Sequence, residues 1–168
     1  MYPLPVDAIC AALYSRGDGT FHWALVLPYS PTKCHKFHVS NLTGPWVYTR
    51  GLEDDFSPGK PNPICVVAQL ATPLSSASNS SPIMARKLDD LLEPIPHETP
   101  AEDPPEEFRC RTWFRRAVRV LHDAGYINCS DAFALMNELW EMGGEQDEKT
   151  VQGMGFVVKK SRVTMREE

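Results

Sequence analysis

The side chains of this sequence best suited to covalent chemistry are one cysteine and two histidines. Cys110 opens its clearest helical pattern: Cys110, Trp113, Phe114, Ala117, Val118, Leu121 and Ala124 recur at the spacing of a single helix face. In a helix's first turn, free backbone N–H groups and the helix dipole stabilise negative charge on sulfur. A cysteine there can attack a carbonyl if a base is within reach. The other reading of Cys110 is a small apolar side chain filling the core.

The candidate bases sit in strand-like stretches. In Phe21–Leu27 (F-H-W-A-L-V-L), His22, Ala24 and Val26 share one face, and Trp23, Leu25 and Leu27 the other. If Thr20–Leu27 and Lys36–Leu42 form a hairpin turning near Ser30 and Pro31, residues whose numbers sum to about 60 face each other. His22 and His38 then lie on one face at cross-strand distance. One imidazole can act as general base while the other bonds its far nitrogen and fixes the tautomer. His35 takes the place of His38 if the register slips. The alternative is two strand histidines with no chemical role.

The elements that must position these groups follow from pattern. Ala8–Ser15 is apolar and ends at a turn, Arg16-Gly17-Asp18-Gly19. Trp46–Thr49 and the Val- and Ile-rich Ile64–Leu70 flank a loop from Gly51 to Pro63. Together with the two histidine strands they predict an antiparallel sheet of about five strands, because the first connections are too short for crossover helices. After a serine-rich stretch, Ser81 and Pro82 open a helix to about Leu92. Residues 93–107 hold five prolines and six acids and read as a loop or linker. The Cys110 helix stops at Gly125, and Ser130 caps another to about Met142, followed by Gly143 and Gly144. Gly155–Lys160 adds a last short strand. The expected organisation is one α+β domain over residues 1–158, with 159–168 a frayed charged tail.

Composition narrows the partners. A net charge of −5 removes the general electrostatic reason to bind nucleic acid, and no apolar run is long enough to span a bilayer. The start, Met-Tyr-Pro-Leu-Pro-Val-Asp, lacks the basic and apolar regions of a secretory signal, so a cytoplasmic protein is expected. Five cysteines (Cys10, Cys34, Cys65, Cys110 and Cys129) without a C-x-x-C pair predict reduced thiols. Cys34, His35 and His38 are close in sequence, but no second cluster completes a zinc site. No metal or organic cofactor is expected.

The order of a strand with His22-Trp23-Ala24, a strand with Phe37-His38-Val39 and a cysteine opening an amphipathic helix resembles the circularly permuted papain-like thiol enzymes. These comprise the circularly permuted relatives of NlpC-type cell-wall peptidases and the lecithin–retinol acyltransferase group. The same segments, with Trp46-Val47-Tyr48 and the run from Cys110 to Trp113 ending at Leu121 to Gly125, look like a widespread group of uncharacterised fungal proteins. The resemblance spans roughly residues 8–127. It implies a permuted papain-like fold, with Cys110 as nucleophile, His22 as general base and His38 as the orienting third member. The chain departs from both enzyme groups around the cysteine, where Arg109 and Arg111-Thr112 replace their flanking residues, so substrate class does not transfer.

The function expected is a cysteine-dependent hydrolase or acyl/peptidyl transferase acting on an amide, ester or thioester carbonyl of a small molecule or peptide. Trp23, Trp46 and Tyr48 are candidate cleft aromatics. Arg109 and Arg111 are candidate contacts for an anionic substrate, against the alternative of a solvated basic face near the acidic segment. A non-catalytic binding or scaffold protein that keeps the fold is the competing class, and a zinc module around Cys34 a third. Oligomeric state is not legible.

Overall fold

The computed structural model describes residues 3–74 and 81–166. Its strands are β1 (Cys10–Ser15), β2 (Phe21–Ser30), β3 (Lys33–Ser40), β4 (Val47–Glu53), β5 (Ile64–Gln69) and β6 (Val157–Lys160). Its helices are α1 (Ser81–Leu92), α2 (Cys110–Asp123) and α3 (Ala132–Val151). Most of the serine-rich stretch before α1 lies outside the described residues.

The fold is α+β, but the sheet is mixed and has six strands, in the order β4-β3-β2-β1-β5-β6. The first five strands pair antiparallel, as the short connections require. β6 departs from the expected antiparallel sheet: it runs parallel to β5. The three helices between those strands provide the crossover that parallel pairing needs.

The alternation read from the sequence sorts the sheet's faces. Leu13, Trp23, Leu25, Phe37, Val39, Val66 and Ala68 join the helices in the main core. On the other face Cys10, Ala12, Tyr14, Ala24, Val26 and Val67 form a smaller cluster with Leu4, Phe56 and Phe156. α2 lies over β2 and β3, and α3 over β5 and β1. β2 runs on through Pro28 to Ser30, beyond the expected stop. The β1 ladder ends at Cys10 opposite Val26, so Pro28 owes no hydrogen bond on that side, and its carbonyl accepts from Asp7 N at 2.8 Å.

Both helix ends near the site have local causes. At the start of α2, Arg109 N donates to Thr112 Oγ1 at 2.7 Å. At its end Gly125 adopts φ +83°. Gly125 N donates to His122 O and Tyr126 N to Leu121 O, which closes the helix in a Schellman turn. α3 begins one residue later than the expected Ser130 cap, with Asp131 accepting from Ala134 N. It also passes straight through Gly143 and Gly144. A Cβ on Gly143 would lie 2.7 Å from the Phe21 ring, so this glycine marks a close helix–sheet contact rather than a stop.

Residues 93–107 carry no regular structure yet are fixed in place. Asp103 is buried and accepts from Arg115 Nε at 2.9 Å and from Arg119 Nη1 at 2.8 Å. Ile95 joins the main core. Of the expected charged tail, Ser161 is docked: it is fully buried, its N–H donates to Gln69 O, and its hydroxyl donates to Glu138 at 2.6 Å.

Candidate active site

The β2–β3 register pairs residues summing to 62 rather than about 60, as in Leu25 opposite Phe37. The shift is by two residues, and an even shift keeps every side chain on its face. His22 and His38 are therefore diagonal rather than directly opposed. Their rings meet edge to face with centroids 5.0 Å apart, and His22 Nε2 lies 2.9 Å from His38 Nδ1. Both project from the face away from the helices, since the flanking Phe21 and Trp23 pack on Trp140 and Phe114.

The two rings line a cleft of about 490 Å³ with Tyr14, Arg16, Lys36, Trp46, Glu53 and Lys60. Half-burial sets the protonation of the pair. Loss of solvent, then the partner imidazole and the charges of Lys36 and Arg16, lowers His22 to about 3. Burial and Lys36 lower His38 to about 4. Both rings are neutral at pH 7, so one N–H in the contact donates and the other nitrogen accepts.

Cys110 is 2% exposed and belongs to the helix-side core. Its sulfur accepts a hydrogen bond from Arg16 Nη2 at 3.5 Å. Arg16 lies at the β1–β2 turn and lines the histidine cleft, so one guanidinium touches the thiol and the cleft alike. Among the described residues no hydrogen bond joins Cys110 Sγ to either imidazole. The other four thiols are held protonated. Burial pushes Cys10 far up, Cys34 up to about 12 and Cys65 up to about 11, and raises Cys129 as well.

The remaining candidates scatter. Trp46 lines the cleft and packs edge-on against Phe108, two residues before Cys110, at 5.9 Å. Trp23 is buried against Phe114, away from the cleft. Tyr48 donates to Asp89 of α1 at 2.6 Å and sits on Trp113. Arg109 pairs with Glu107 at 3.0 Å and Arg111 with Glu106, so both flanking arginines meet carboxylates of the same chain. His35 faces away from Cys34 and His38 along the strand and packs on Tyr29. His97 accompanies Phe108 and contacts the Trp46 carbonyl at 3.0 Å, and His122 accepts from Cys129 N. Among the described residues no three His, Cys, Asp or Glu side chains converge as a metal site.

Tyr14, Arg16, Lys36, Glu53 and Lys60 are cleft residues the sequence reading passed over. A signal for three of them was available. The Gly17-Asp18-Gly19 turn makes β1 and β2 a hairpin, which sets Tyr14 opposite His22 and Arg16 two residues further on the same face. Lys36 is two residues from His38 on β3, hence on its face too.

Comparison of the chain with family models, with curated proteins and with solved structures returns no match. No helix among the described residues is long and apolar enough to cross a membrane.

Proposed function

We propose that this chain is a cysteine-dependent hydrolase or acyl/peptidyl transferase of permuted papain-like fold. The observation that carries the reading is the 2.9 Å imidazole pair in a cleft whose Arg16 donates to the Cys110 sulfur. In the productive tautomer His22 Nε2–H donates to His38 Nδ1, which leaves the His22 Nδ1 lone pair as the base. Turnover on this reading requires the Cys110 sulfur, held by Arg16 in the helix-side core, to move within reach of that nitrogen, which then takes the thiol proton as sulfur bonds to the carbonyl carbon. Collapse of the tetrahedral adduct breaks the bond to the leaving group, which takes the proton from His22. Water or another nucleophile then releases the acyl group from sulfur. Free N–H groups at the start of α2 are suited to the oxyanion. His38 is a positioning residue, and the guanidinium of Arg16 sets positive charge beside the sulfur.

A second reading is favoured by one fact: the thiol's hydrogen-bond partner is Arg16 and not an imidazole. It makes the cleft a recognition site without turnover. Reaction with p-nitrophenyl acetate separates the two. The enzyme reading expects a burst of p-nitrophenol stoichiometric with protein and one acetyl group on the Cys110 peptide. Cys110→Ala abolishes it, and His22→Asn slows it by roughly 10²–10⁴-fold. Acetylation that is absent, or unchanged in Cys110→Ala, leaves the binding reading.

A further inference from the structure

Among the described residues, the cations lining the cleft outnumber its carboxylates. Its lining carries three cations, Arg16, Lys36 and Lys60, against one carboxylate, Glu53, an excess of two positive charges with the histidines neutral. Lys60 is the cation Glu53 meets, at 3.5 Å, with Asp55 at 3.9 Å. Lys36 has no ion pair within 4 Å among the described residues; its ammonium sits 4.0 Å over the Tyr14 ring, and burial lowers its pKa more than the nearby charge of Glu53 restores it. Arg16 likewise gives its guanidinium to a thiol and to no carboxylate. Five arginines elsewhere, Arg50, Arg109, Arg111, Arg115 and Arg119, do meet carboxylates.

A buried hydroxyl points to the same place. Tyr14 is 3% exposed and lines the cleft, yet its Oη makes no hydrogen bond of ordinary geometry, although Glu53 lies beside it. A buried polar atom left without a partner is expensive and marks a position a ligand can complete.

We propose that this cleft binds a dianionic phosphoryl group, the phosphate monoester of a small molecule, with Lys36 and Arg16 supplying charge and Tyr14 Oη a hydrogen bond. Two unmatched charges suit a dianion, whereas a single carboxylate leaves one of them uncompensated. Arg16 offers a planar fork and Lys36 a point charge, the two donor types that phosphate oxygens accept. The site holds whether or not Cys110 reacts.

The test is a titration of the full chain with inorganic phosphate at constant ionic strength and pH 7, followed through the NMR signals of His22, His38 and Tyr14. Saturable shifts confined to the cleft are expected. Lys36→Gln weakens binding about tenfold and Tyr14→Phe about threefold. The titration is run on the wild-type chain with no acyl donor present and the p-nitrophenyl acetate burst is read separately, which separates failure of the thiol chemistry from failure of this site. Shifts that chloride reproduces, or a folded Lys36→Gln variant that titrates unchanged, overturn the proposal. Succinate binding as tightly as phosphate overturns the phosphoryl assignment.

Discussion

Two regions of this molecule are built from arginine and lysine near the start of α2, and they solve the problem of charge in opposite ways. Where residues 98–107 cross α2, Arg111, Arg115 and Arg119 each meet a carboxylate. Arg115 is 2% exposed and meets Asp103 and Glu106, with Arg119 on the other oxygen of Asp103. Burial alone would raise the Asp103 carboxyl, but the bond from Arg119 and the charge of Arg115 outweigh it and hold the group low. In the cleft on the far face of the sheet, Lys36 and Arg16 stand beside neutral imidazoles and the Tyr14 phenol, whose Oη makes no hydrogen bond of ordinary geometry although Glu53 is its neighbour. Matched charges fix a segment, whereas unmatched ones await something from outside. That difference separates structural arginines from those available for function, and neighbourhood in sequence to Cys110 does not.

The largest effect expected from breaking the matched region is at Arg115. Arg115→Met leaves the buried Asp103 carboxylate with Arg119 as its cation and removes the fully buried partner, and loss of one member of such a pair costs about 3–5 kcal/mol. Urea unfolding should show that loss, and Arg115→Met with Asp103→Leu should recover most of it. If the single variant loses less than about 1 kcal/mol, the pair contributes like a surface bridge and the contrast with the cleft collapses.

The same contrast explains what could be read from the chain beforehand. Period-two alternation fixed the face of His22 and His38, and an error of two in the register sum left that face unchanged. The Cys110 stripe gave α2 its bounds, since Gly125 supplies the positive φ its Schellman turn requires. The order along residues 93–107 was invisible because it rests on ion pairs across the fold, Asp103 with Arg115 and Arg119, and not on apolar content. Gly143 and Gly144 misled because a helix-stopping glycine and a helix-crossing glycine look alike until Phe21 is known to lie against one of them. Arg16 was hidden in a turn, where its reach to a thiol 94 residues away has no local signature.

A smaller effect per side chain is expected from the unmatched region, and pH reveals it. His22 is held at about 3 and His38 at about 4, whereas unfolded histidine titrates near 6.5. Below about pH 6.5 the unfolded chain takes up protons that the folded chain refuses. Stability is therefore full above that pH and falls as the medium acidifies, until the folded-state values are reached. Between pH 7 and pH 5 the loss is about 2 kcal/mol for each imidazole. Asp103 and Glu106, both held low, contribute only at more acidic pH. The double variant His22→Gln, His38→Gln should flatten the unfolding free energy over this window, with a small remainder from His35, which burial also lowers. A wild-type profile level from pH 7 to pH 5 would place the imidazoles in water.

The smallest effect falls on the arginines that flank the thiol. Arg109 and its partner Glu107 are 59% and 76% exposed, and Arg111 is 44% exposed. Water screens such pairs, and Glu106 keeps Arg115 when Arg111 is removed. The variant Arg109→Gln, Arg111→Gln should shift stability by no more than about 0.5 kcal/mol in thermal melts. Its affinity for phosphate should equal the wild-type value, because both side chains already meet carboxylates. A tenfold loss of phosphate affinity in this variant, with Lys36→Gln unaffected, would move the anion site from the sheet to the start of α2 and make the flanking arginines the substrate contacts.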